Sequence, residues 1–239
     1  MLEALKRRKE ETYFKGYSDI LELKRDIEDK KEKVKQLMET GSMERAIRVW
    51  NTLEETSYFR DPASARYHNA IYGGLFLHSF NIISHALAES TIFTKKLRVE
   101  IDKESIIIAS LLHDACKIGR YGVEQKRIQN PEYANDKTKG YGWETKYVYA
   151  YSKDYVPYGH GMRSMQLALK AYGNLLTEEE YEAIAYHMAD GDDATSKDFH
   201  NVFKSNPLAF VIYVSDLYAG YYQETQGDQY HLVYSEGSI

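Results

Sequence analysis

At 239 residues the chain is long enough for one sizeable core plus an appendage, and it does not require two domains. Its 28% of charged residues is ordinary for a globular protein, and a formal charge of −5 lacks the basic excess of a dedicated duplex-DNA binder. That balance still leaves room for a nuclease, whose metals and a few Lys or Arg supply local positive potential. Cys116 is the only cysteine, which excludes an intrachain disulfide. The first residues lack the apolar core of a signal peptide, and no stretch approaches the roughly 20 apolar residues of a membrane span. A cytoplasmic protein without a membrane partner is expected.

Helical spacing dominates the first half of the chain. Residues 17–39 place Ile20, Leu23, Ile27, Val34 and Leu37 at heptad-like intervals among dense Lys and Glu, with Lys30 interrupting the seam. A docked amphipathic helix and a short dimer arm, giving a homo-oligomer, fit this pattern equally well. Gly41-Ser42 breaks the helix, and a second one follows with Ile47, Trp50 and Leu53 on one stripe. Asp61-Pro62 marks a turn. Residues 74–90 then read as a buried helix, and Asp102 caps another whose core residues Ile106, Ile107, Leu111 and Leu112 run on to a stop at Gly119.

The stretch 120–158 is polar, Gly-containing and rich in tyrosine, without sustained periodicity. Insertions of this length are usually functional or mobile, and its second half is compatible with a small hairpin. Helices follow at about 160–172, from the capping box Thr177-Glu178-Glu179-Glu180, and from Pro207 at a first turn. The expected division is a helical arm over 1–57, a main domain over 58–225 and a tail over 226–239.

The chemistry concentrates in Leu111-Leu112-His113-Asp114-Ala115-Cys116-Lys117-Ile118-Gly119. An imidazole and a carboxylate side by side in an apolar segment are expensive to bury alone, and a divalent ion partners both. His78, His187 and Asp216 each sit among apolar residues on a different predicted helix, and His160 stands between glycines at the start of another. Inward-facing ligands from several helices are how helical metalloproteins build a site. Any one of these histidines taken alone reads more readily as a hydrogen-bonded core residue than as a ligand, and His85 shows that histidines occur here without an assignable role; the joint pattern is what points to a site.

In that order, His78, His113-Asp114 and Asp216 resemble the signature of the HD superfamily of metal-dependent phosphohydrolases. His160 and His187 are similar to the two extra histidines of its two-metal branch, which holds HD-GYP phosphodiesterases and HD-type 3′–5′ exoribonucleases. The run from Arg66 to Phe80, with His68 before Gly73-Gly74-Leu75, is similar to the exoribonuclease group. Tyr158-Gly159-His160-Gly161 and residues 186–193 look like a set of bacterial and phage HD hydrolases. The likeness covers about residues 58–225. The nucleic-acid-binding barrel of the exoribonucleases and the Gly-Tyr-Pro motif of the cyclic-dinucleotide enzymes are both missing.

The resemblance implies an all-α HD-type bundle. One metal would be held by His78, His113, Asp114 and Asp216, and a second, bridged by Asp114, by His160 and His187. The ions would be one or two of Mn, Fe, Ni, Co or Mg, and would activate water against a phosphoester. Lys117 matches the Lys of the family's His-Asp-x-x-Lys motif and would neutralise the phosphoryl group, its bland alternative being a surface lysine. Arg66, His68 and Arg163 are further candidate substrate contacts. The expected substrate is a nucleotide or single-stranded nucleic acid. The rivals are a nucleotide phosphatase or deoxynucleoside triphosphate hydrolase, and a non-catalytic metal-dependent nucleotide-binding module.

Overall fold

The computed structural model describes residues 16–152, 159–188, 196–224 and 229–233, in which helices predominate over a single two-stranded sheet. The acidic run Asp190–Asp193, the last residues of the aromatic stretch and most of the tail lie outside the described residues.

Helix α1 (Ile20–Thr40) starts where the Asp19 carboxylate accepts from the backbone N–H groups of Leu21 and Glu22. Its buried stripe is Leu23, Ile27, Val34 and Met38. Met38 replaces the expected Leu37, because it lies four residues beyond Val34 and closer to the line of that stripe. The lysines interleaved with the stripe lie over aromatic faces: Lys30 over Phe80, Lys31 over Phe59 and Lys35 over Trp50. The break after α1 falls on Ser42, at φ 52°, while Gly41 keeps a right-handed conformation.

Helix α2 (Glu44–Glu54) buries Ala46, Val49, Trp50 and Leu53. Trp50 meets Phe59 and Phe76 with ring centroids 4.8 and 5.8 Å apart. These side chains and those of α1 enter one core together with α3 (Gly74–Ile92) and α4 (Lys103–Leu112). The first helix is therefore docked against the body of the protein. The start of α3 depends on glycine: a Cβ on Gly74 would sit 2.1 Å from the Asn69 carbonyl oxygen.

Between α4 and α5 (His160–Tyr172) a hairpin projects, with β1 (Tyr121–Gln129) antiparallel to β2 (Trp143–Tyr151) and Tyr121 opposite Tyr151. The sequence anticipates a hairpin only in the second half of this region. The first strand is mostly solvated on both faces, so nothing imposes an apolar–polar alternation on it.

Helix α6 (Glu178–Ala185) opens with the expected capping box, Thr177 and Glu180 each accepting from the other's backbone N–H. After α7 (Ser196–Ser205), Asn206 caps α8 (Pro207–Tyr218), with Pro207 in its first turn. A second core joins α3, α4, α6 and α8 through Ile82, Ala86, Ile106, Ala109, Ala183, Leu208 and Ile212. Helix α3 lies between α4 and α8, and is buried on every side over most of its length.

Candidate metal centre

The sequence carries α4 through the His113-Asp114 doublet to Gly119; the helix instead ends at Leu112. Asp114 leaves the helical region at φ −108°, ψ 23°, a short 3₁₀ turn spans Ala115–Lys117, and Gly119 follows at φ 65°. Successive side chains on a continuous helix diverge by about 100°. The break lets His113, Asp114 and Lys117 converge instead. His113 Nε2 lies 3.3 Å from Asp114 Oδ2, and Lys117 Nζ lies 2.5 Å from the same oxygen.

Three other elements bring predicted ligands to this point. His78, in the middle of α3, places Nε2 3.7 Å from Asp114 Oδ2 and 3.0 Å from Oδ1 of Asp216, on α8. His187, just past the end of α6, has Nε2 3.7 Å from Asp114 Oδ1, and its ring stands edge-on to that of His113 with centroids 4.9 Å apart. Five of the six predicted ligands thus gather around the Asp114 carboxylate. All are buried or nearly so, with Asp216 the most accessible at 13% side-chain exposure.

The hydrogen bonds behind the rings orient them. His113 Nδ1 donates to the Ser110 carbonyl and His187 Nδ1 to the Ile184 carbonyl, each at 2.7 Å. His78 Nδ1 donates to Glu224 Oε1 at 2.8 Å, and Asn81 donates to the same oxygen at 3.2 Å. With each Nδ1 occupied, every Nε2 is turned inward, the arrangement in which metal-binding imidazoles are held. His113 Nε2, His187 Nε2 and Asp114 Oδ1 are fully buried without a hydrogen-bond partner. Such orphans cost roughly 1–3 kcal/mol each when nothing pairs with them. Ligand atoms about 2.1 Å from an ion stand roughly 3.0–3.4 Å apart around it, close to the separations found here. His78, His113 and Asp114 could hold a metal ion together.

The electrostatics agree with the geometry. Burial pushes the Asp114 carboxyl up, but Lys117 and His113 more than reverse this and hold it well below the usual carboxylate range. Burial lowers His78, yet Glu224 and Asp216, facing its two nitrogens, raise it to about 10. Burial, with His113 adding repulsion, lowers His187 to about 4, so its imidazole is neutral at pH 7. Lys117 stays cationic, because the attraction of Asp114 exceeds its burial cost. It is 3% exposed, which removes the surface-lysine alternative.

A cavity of about 440 Å³ opens onto this cluster, lined by His68, His78, Asp114, Lys117, His187 and Asp216, with Tyr67, Tyr213 and Tyr221 among the other lining residues. His68 stacks near His78 at 4.9 Å between centroids, and burial, with repulsion from His78 and Lys117, lowers it to about 4. Its Nε2 is buried and has no hydrogen-bond partner.

Three predicted residues do not line this cavity. His160 starts α5, whose Gly161 is pressed so closely on α6 that a Cβ would sit 2.0 Å from the Ala185 carbonyl oxygen. His160 is not among the described residues that line the cavity, and its Nδ1 is buried. Arg66 is exposed and lines a separate cleft, because it and Tyr67 leave the chain on opposite sides. Arg163, in the first turn of α5, reaches along its own helix to Gln166 at 3.4 Å.

Glu224 and Asn81 escape the sequence reading. Asn81 is one helical turn beyond His78, a spacing that could have flagged it. Glu224 follows a π-helical turn, Ala219–Gln223, whose geometry the sequence does not announce.

No protein-family model, curated protein or solved structure matches the chain.

Proposed function

We propose that this protein is a metal-dependent phosphohydrolase of the HD type, cleaving a phosphoester of a nucleotide or nucleic acid. The observation that carries the reading is the convergence of three oriented imidazoles and two carboxylates on partnerless buried atoms beneath an open cavity. His78, His113, Asp114 and Asp216 would hold one ion, with His187 on the far oxygen of Asp114 for a second. A mixed His and Asp donor set suits Mn, Fe, Ni or Co, with Mg also accommodated. A divalent ion bound there supplies Lewis acidity and a water of lowered pKa.

The chain's own groups have distinct parts. Asp114 stands at the hub, its two oxygens within 3.3–3.7 Å of the Nε2 atoms of His78, His113 and His187. Lys117, held cationic beside it, offsets charge developing on the phosphoryl oxygens. His68, neutral with Nε2 on the cavity wall, accepts or donates one hydrogen bond to the substrate. Glu224 fixes the His78 ring and strengthens it as a donor.

The test has two parts. Purified protein should contain transition metal by elemental analysis and lose it in His113→Ala. The metal-loaded wild type should hydrolyse bis(p-nitrophenyl) phosphate, with mononucleotides run in parallel to reveal a phosphomonoesterase. Tight nucleotide binding with no turnover of any phosphoester would replace the enzyme by a sensor module. A His113→Ala variant that keeps its metal would remove the centre altogether.

A further inference from the structure

Beside the metal cavity lies a second cleft of about 320 Å³, between the hairpin, the 65–70 segment and the C-terminal turn. Arg66, Lys126 and Arg127 line it together with Tyr149 and Tyr230, and among the described residues no carboxylate does. That is a local reversal of charge. The whole chain carries −5, whereas residues 120–151 hold six Lys or Arg against four Asp or Glu. Lys126 is paired with Glu124 at 2.5 Å along its strand, and the Arg127 guanidinium lies over the Trp143 ring, 5.4 Å from its centroid. Arg66 extends into solvent from the segment that joins the two cavities.

The two cavities share a wall. Ala65, Arg66 and Ala70 face the basic cleft, while Tyr67 and His68 face the metal cavity. At the mouth of the metal cavity, Tyr67 is 76% and Tyr221 69% exposed. Solvated tyrosine rings at the mouth of a cavity that holds Asp114, Lys117 and three histidines are stacking platforms for bases, and a cationic groove one residue away tracks the backbone that connects them. A mononucleotide would use the cavity alone. A ligand that uses both has regularly spaced phosphates and unpaired bases.

We infer that the basic cleft of Arg66, Lys126 and Arg127 is a phosphate-binding subsite for single-stranded nucleic acid. The strand crosses the 65–68 wall so that a base stacks on Tyr67 or Tyr221 as its neighbouring phosphate enters the metal cavity. This rests on the proposed phosphohydrolase reading for the role of the cavity, while the cleft itself needs no metal to bind.

The experiment is fluorescence anisotropy with labelled six-nucleotide oligo(dT) and oligo(U) in EDTA, where turnover is impossible, against the corresponding mononucleotides. The hexamers are expected to bind at least about tenfold more tightly than the mononucleotides, with affinity falling as salt rises. The double variant Arg66→Ala/Arg127→Ala should weaken hexamer binding roughly tenfold or more and reduce the log–log salt slope by about 1.4, since each single-strand phosphate contact contributes about 0.7. Tyr67→Ala should lose about tenfold without changing that slope, because stacking carries no counterion release. Melting temperature confirms that each variant is folded. Hexamers that bind no better than mononucleotides, or a double variant with wild-type affinity and slope, would overturn the subsite. Those results would leave the metal centre untouched, because it is read independently from metal content and bis(p-nitrophenyl) phosphate turnover.

Discussion

Two polar networks lie inside this protein, and they are built to opposite specifications. Arg45 joins α2 to α4 and α6. Its guanidinium meets Glu104 at 3.0 Å and Glu180 at 2.7 Å, while the other Glu180 oxygen completes the capping box with the Thr177 backbone. Donors and acceptors there match, so the chain satisfies the network by folding. The Asp114 cluster is at least as buried and gathers more ionisable groups, yet His113 Nε2, His187 Nε2 and Asp114 Oδ1 face one another without a hydrogen bond. A network that closes on itself holds helices together. One that leaves its inward atoms open could hold an ion.

Four measurements break or sharpen that contrast. The largest effect is expected from Asp114→Ala, which removes the carboxylate shared by His78, His113 and His187. Turnover should fall by more than about a thousandfold with loss of bound metal, and elemental analysis showing a full metal complement would refute the assignment of Asp114 as the hub.

Arg45→Ala should do the reverse. Urea unfolding is expected to show a loss of about 3 kcal/mol, because Glu180 is left buried with an uncompensated charge. The folded fraction should keep its metal. Equal stability in the two proteins would mean that the Arg45 network is ornamental to the fold.

Glu224→Gln keeps an acceptor for His78 Nδ1 but removes the charge behind it. Metal affinity should drop by about 10–100-fold with little change in melting temperature, and an unaltered dissociation constant would reduce Glu224 to a packing residue.

The smallest effect is a proton count. With His78 raised to about 10, metal entry at pH 7 must displace its proton. His187, lowered to about 4, has none to lose there. The His78 contribution to apparent affinity should therefore rise by up to about tenfold per pH unit toward pH 10. Calorimetry in two buffers of different ionisation enthalpy should find about one proton released from His78, and a count of zero would show that His78 has no proton to displace at pH 7.

The local code of this chain is easy to read where one segment suffices. Asp102, the Thr177–Glu180 box and Pro207 each announce a helix start through a hydrogen bond to a neighbour in sequence or a fixed φ, and all three stand where the residues place them. The buried histidines and Asp216 stand out for the same reason, as polar groups in apolar surroundings. Less legible is what depends on distant partners. Glu224 reaches His78 across 146 residues, and nothing in Tyr221-Tyr222-Gln223-Glu224 signals it. Arg66 and Tyr67 are adjacent in sequence, but serve different cavities because the backbone between α2 and α3 turns them apart.

The amino-acid order by itself determined most of the helical segments, though not α7, which polar residues stand out and that no intrachain disulfide forms, because propensity, capping and burial cost act within a few residues of each position. The three-dimensional packing decided where α4 stops, which ring nitrogens turn inward and that a basic cleft adjoins the cavity. Those depend on close approaches between helices far apart in sequence, such as Gly161 against Ala185, which no local pattern encodes.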